Sequence, residues 1–178
     1  MDTNDLLQRL RRGDEAAFDE IFRSWYASLV RAAESIVRSR AVAEELVQDV
    51  MLELWRRRES LVEGGSAQAY LFQSVRNRSL NYVRHERVER RAEPEAERVA
   101  QIQAPAQSLL VEEEIDVALR RAVAGLPDRC REVFELSRIH GLKYSEIATV
   151  LGISVKTVEA QMGKALKVLR VELAPWLR

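Results

Sequence analysis

The chain is poor in the features that announce chemistry. A single cysteine, Cys130, excludes an internal disulfide and suits a reducing compartment. Its two histidines, His85 and His140, lie far apart and have no metal-ligand spacing. There is no phosphate-cradling GxxxxGK and no nucleophile elbow GxSxG. No apolar run approaches membrane-spanning length, and the opening MDTNDLLQRL lacks the basic-then-apolar pattern of a signal peptide. Formal net charge is zero over 178 residues. Alternating strand patterns are missing too. These absences predict a soluble cytoplasmic protein without membrane insertion, metal or cofactor, and not an enzyme, since no constellation of catalytic groups can be assembled.

What is present is helical periodicity along nearly the whole chain. Leu6, Leu7 and Leu10 open a short helix that Gly13 ends, and Asp14 can cap the next. Phe18, Ile21, Phe22, Trp25, Leu29, Ala33, Ile36 and Val37 then form one apolar stripe. Ser39 to Arg57 reads as a further helix with Leu46, Val47, Val50 and Leu54 inward. Ser60 to Gln68, with Gly64-Gly65, reads as a loop. Helix returns from Ala69 to about Arg91, with Leu71, Phe72, Val75 and Val83 towards a core. Residues 94–109 sit in a stretch holding two of the four prolines and no aromatic residue, and read as a flexible linker. Periodicity resumes at Leu109 to Val123. After the turn at Gly125-Leu126-Pro127-Asp128, the face Val133, Phe134, Leu136 and Ile139 follows. The predicted fold is all-α, two small helical domains, 1–93 and 110–178, joined by that linker.

Charge is unevenly spread although it sums to zero. Arg76 to Arg91 is arginine-rich, while Glu44, Glu45, Asp49 and Glu53 form an acidic stripe on one helix. Such stripes are often solvated faces, or patches that meet a partner of opposite charge.

The C-terminal stretch LGISVKTVEAQMGKALKVLR carries the sharpest signal. YSEIATVL is a short helix that Ser145 can cap; Gly152 suits the left-handed residue past its end. Ser154 can cap a second helix, whose inward stripe is Val158, Met162 or Ala165, Leu166 and Leu169. Lys156, Thr157, Glu159, Gln161, Lys164 and Lys167 face outward. Two helices on a three-residue glycine turn fit a helix-turn-helix, whose second helix enters the DNA major groove. An ordinary helical hairpin is the alternative.

Three stretches together resemble bacterial RNA polymerase sigma factors of the small extracytoplasmic-function (ECF) group. AEELVQDVMLELWRR resembles that group's core-polymerase-binding helix. AYLFQSVRNRSLNYVRHERVERR resembles its reader of the −10 promoter element, and Leu126 to Arg170 its reader of the −35 element. The resemblance implies a sigma region-two domain in 1–93 and a region-four domain in 110–178. It implies core polymerase and promoter DNA as partners, with a membrane-associated anti-sigma factor as a further one. Glu44, Glu45, Gln48, Asp49, Leu52 and Trp55 would dock on polymerase, a mixed acidic and apolar face suited to a hot spot, unless Trp55 only completes the core. Arg76, Asn77, Asn81 and Arg84 would meet −10 DNA, arginine on phosphate and asparagine on base edges. The loop residues Ser60, Ser66 and Gln68 would capture a flipped base, with Tyr70 and Phe72 either stacking beside it or buried in the core. Ser154, Lys156, Thr157, Gln161 and Lys164 would meet the −35 element, the first three where helix N–H groups favour phosphate. The chain departs from many members at Gln161 and Met162, where they carry arginine and leucine, and Gly163 follows. Two other functions compete with this one. A free-standing helix-turn-helix regulator would need an N-terminal receiver of alternating strands and helices. A helical protein-interaction adaptor would need no DNA role.

Overall fold

A computed structural model describes residues 3–62, 64–92 and 112–176. It is all-α: the described residues hold eight α-helices, two short 3-10 turns and no strand. The expected linker, 94–109, lies outside the described residues. The chain divides into two compact units, Met1–Pro94 with Ser145–Gly152, and Glu95–Tyr144 with Ile153–Arg178.

The first unit is built on α1 (Thr3–Arg11), α2 (Glu15–Val37), α3 (Arg40–Arg56) and α4 (Ala67–Ala92). Gly13, at φ +81°, turns the chain between α1 and α2, where only glycine is unstrained. Asp14 then caps α2: its carboxylate accepts from the backbone N–H groups of Ala16 and Ala17, at 2.9 and 3.4 Å. The corner between α2 and α3 is made by Arg38, left-handed at φ +61°, with its N–H on the carbonyl of Glu34. Ser39 caps α3 through Val42. These caps orient three stripes inward: Ala17, Ile21, Leu29, Val30, Ala33 and Val37; Ala43, Val47, Val50, Met51 and Leu54; and Ala67, Ala69, Leu71, Phe72 and Val75. Each fully buried leucine or phenylalanine contributes about 1.5–3 kcal/mol. Helix α7 (Tyr144–Leu151) belongs to this unit from Ser145 on, with Ile147, Val150 and Leu151 buried.

In the second unit α5 (Glu112–Ala124), α6 (Asp128–Arg138) and α8 (Val155–Glu172) close a small core. Ala122, Leu126, Cys130, Ala165 and Leu169 are its buried centre, with Val123, Phe134 and Leu173 packed against it. Ser154 caps α8 by accepting from the N–H of Thr157 at 3.1 Å. The turn between α7 and α8 is Gly152-Ile153-Ser154, with Gly152 left-handed at φ +64°, as expected for a helix-turn-helix.

Several expected positions move. Phe22, Ile139 and Leu166 are exposed rather than inward. Phe22 and Leu166 sit at the margins of their stripes, where spacing alone does not decide, and Ile139 lies past the end of α6 as its C-cap residue. Both Met162 and Ala165 are buried, as the α8 stripe is wide enough for the two. Ser145 lies inside the first turn of α7 and does not cap it. Helix α4 begins at Ala67, so Gln68 is helical, and Ser60 ends a 3-10 turn at Arg58–Ser60; the loop between them is shorter than its composition suggests.

Candidate functional surfaces

Helix α3 buries one face and offers the other. Glu45, Gln48, Asp49 and Leu52 are exposed at spacings of three and four, which places them on one continuous strip. Leu52, half of its surface open to solvent, is the apolar residue at the C-terminal end of that strip. The acidic stripe read from sequence is thinner than its residue count. Glu44 pairs with Arg40 at 2.9 Å, and Glu53 pairs with Arg57 and with Arg78 of α4. Glu45 and Asp49 remain as its outward charge.

Trp55 is half-buried and already engaged. Phe18 meets its ring edge-on at 5.5 Å between centroids, and the Arg58 guanidinium lies over it at 4.5 Å. Next to the strip is a pair of which periodicity misassigned one member. Phe22 and Tyr26 of α2 stack at 4.5 Å, and the Tyr26 hydroxyl accepts from the Gln48 amide at 3.4 Å. Their spacing of four residues was visible in the sequence, but Phe22 read as core.

On α4, Asn77, Asn81 and Arg84 are exposed and Arg76 is half-buried. The three exposed residues share a face. Arg78, from the same arginine-rich run, turns instead to Glu53. Tyr82 donates to Glu86 at 3.1 Å, and burial, then that bond, raises its phenol above its usual pKa. The loop ahead of α4 places its residues unequally. Ser60 is exposed and donates to the carbonyl of Arg57, while Gln68 is half-buried. Ser66 caps α4 by accepting from the N–H of Ala69 at 3.1 Å, and its hydroxyl bonds the Glu146 carboxylate of the same unit. Phe72 is buried at 2 % exposure, which resolves its alternatives in favour of the core; Tyr70 is half-buried.

On α8, Ser154, Lys156, Thr157 and Lys164 are exposed at or near the surface expected to meet DNA. Ser154 and Thr157 hydroxyls also bond each other at 2.8 Å. Gln161 does not share that outward placement. It is half-buried, and its Oε1 accepts from the Cys130 thiol at 3.0 Å. Between the two lysines the exposed positions are Thr157, Glu159, Ala160 and Gly163, and a Cβ added at Gly163 would meet nothing within 4 Å. Among the described residues no three His, Cys, Asp or Glu side chains gather as metal ligands, and no helix is long and apolar enough to cross a membrane.

Comparison with known proteins agrees with this layout. The family model for Sigma-70 region 2 matches residues 21–89, and that for Sigma-70, region 4 matches residues 116–169. The chain is 29 % identical to the ECF RNA polymerase sigma factor SigK of Mycobacterium bovis, over 95 % of this chain and 92 % of that protein. It is 24 % identical to the RNA polymerase sigma-H factor of Pseudomonas aeruginosa, over 97 % and 94 %. Two solved structures share the fold. One is CnrH in complex with the cytosolic domain of CnrY, at TM-score 0.65 and 22 % identity, covering 97 % of each chain. The other is the sigma factor RpoE in complex with the anti-sigma factor NepR from Bartonella quintana, at TM-score 0.66 and 24 % identity, covering 88 % of this chain and 96 % of that one.

Proposed function

Because the chain belongs to the ECF group of RNA polymerase sigma factors, we propose that it docks on core polymerase through the exposed strip of α3 and carries two promoter-reading helices to DNA. The carrying observation is the segregation of α3, whose buried face makes the core while Glu45, Gln48, Asp49 and Leu52 stand outside together. Glu44 flanks the strip, and Trp55 supports it from beneath through Phe18 and Arg58.

The region-two domain, 1–93, meets the −10 element with Arg76, Asn77, Asn81 and Arg84. Taking a base out of the stack costs a few kcal/mol, and Ser60, Ser66 and Gln68 border the loop that receives it. The region-four domain, 110–178, meets the −35 element with Ser154, Lys156, Thr157, Gln161 and Lys164. The two family matches, at 21–89 and 116–169, support this division. Each contact alone is weak. Once one domain is placed, the other meets its DNA at high effective concentration, so specificity belongs to the pair.

The chain performs no bond chemistry; it positions the polymerase, in the cytoplasm, without cofactor. An anti-sigma factor is its second protein partner, a reading supported by the RpoE relative, whose structure holds one. The test is reconstitution. Purified chain added to bacterial core polymerase should give run-off transcripts from promoters that core alone ignores, and changing either promoter element should abolish them. Transcription that stays the same with and without the chain overturns the proposal.

A further inference from the structure

Gln161 sits on the border of α8, between the buried stripe of Val158, Met162, Ala165 and Leu169 and the exposed lysine face. A side chain there has two ways to turn. In this structure it turns towards α6, where its Oε1 accepts from Cys130 Sγ at 3.0 Å. Cys130 is 3 % exposed and held among Leu126, Ala165 and Leu169. A thiol is a weak donor, but water has little access there to compete for the bond.

This bond decides which end of the amide is offered outward. A glutamine with both ends free reads adenine by a pair of bonds: it accepts from N6 and donates to N7. Oε1 keeps a second lone pair, but the bond turns it towards α6, so the two N–H donors are the end of the amide left for a base. Those suit groups that only accept: N7 and O6 of guanine, O4 of thymine, or a phosphate oxygen. We propose that Cys130 is a positioning residue for promoter reading, holding Gln161 as a donor-only contact and turning it away from paired recognition of adenine. The inference rests on the proposed entry of α8 into the −35 major groove.

The test uses the reconstituted holoenzyme and a promoter library randomised through the −35 element. Wild type, C130S, C130A, Q161A and the C130A/Q161A double variant are compared for base preference, with melting temperature and core-polymerase binding measured beside it. Serine keeps a donor at this place and should keep the wild-type preference. Alanine removes the donor and should relax one position, by about fivefold, towards adenine. Q161A should lose preference at that same position, and the double variant should be no worse than Q161A. Packing loss alone lowers melting temperature without moving preference at a single base. If Q161A shifts the preference and C130A does not, the positioning role is overturned and the −35 reading stands. If Q161A shifts nothing, the role of Gln161 in reading fails, and this inference with it.

Discussion

Helix α3 turns Glu45, Gln48, Asp49 and Leu52 to the surface, whereas α8 turns out Lys156, Ala160, Gly163, Lys164 and Lys167 with a single carboxylate, Glu159, beside them. Both are amphipathic helices with ordinary aliphatic cores, so burial does not tell them apart. Their outward faces do. The first places a large apolar side chain beside carboxylates, which suits a protein surface that can bury it. The second places small residues between cations, which suits close approach by a polyanion. A net charge of zero sums 28 basic and 28 acidic residues over the whole chain, so it does not exclude a locally basic face of the kind proposed for α8.

The comparison breaks most visibly at Leu52. Replacing it with glutamate should weaken binding to core polymerase at least a hundredfold, about 3 kcal/mol, as removal of a hot-spot anchor does. Its half-exposed position means the melting temperature should hardly move. Equal loss of folding would make Leu52 a core residue and end the distinction. The reciprocal change is K156A/K164A. It should leave polymerase binding intact, lower affinity for a −35 duplex about tenfold at physiological salt, and reduce the slope of log affinity against log salt by about two. Anisotropy titrations at several salt concentrations measure both.

Gly163 sharpens the contrast further. Glycine inside a helix costs about 1 kcal/mol against alanine, and here an added Cβ has open space around it. No packing within the fold requires the glycine. G163A should therefore stabilise the second unit by about 1 kcal/mol in thermal melts while weakening the −35 contact several-fold. A variant that is both more stable and equally active would remove close approach as the reason for glycine here.

Much of this layout was legible in the sequence because helical spacing and capping chemistry are local. The stripes of α2 and α3, the caps Asp14 and Ser154, and the left-handed Gly152 all follow from neighbours along the chain. Border residues were not legible. Phe22 and Leu166 fit an inward stripe by spacing yet lie outside it, because the tertiary packing decides how wide each stripe is. The corner at Arg38 carries no glycine to mark its left-handed backbone. Gln161 was readable as a surface residue of α8, but its turn towards Cys130 depends on a helix thirty-one residues earlier in the chain. Likewise Glu53 looked like one of four equal carboxylates until Arg78 was found beside it.

The smallest expected effect concerns the caps, and it extends the comparison to pH. Helix α2 is capped by a carboxylate and α8 by a hydroxyl. Asp14 is held below the usual carboxylate pKa, first by its bond with Arg9 and then, against some desolvation, by the N–H groups of Ala17 and Ala16. A lowered pKa in the folded state means this contribution is complete above the unfolded value of 3.8 and is lost as pH falls through the folded value. Acid should therefore loosen the α1–α2 corner through Asp14, while Ser154 has no proton to gain. D14A should lower the melting temperature by no more than about 4 °C at neutral pH and remove that part of the acid dependence. S154D should keep α8 capped, since aspartate caps as well as serine. It should also weaken the −35 contact by setting a negative charge where the N-terminus of α8 meets phosphate. A hydroxyl cap is thus compatible with the use proposed for that helix end, whereas a carboxylate there would oppose it.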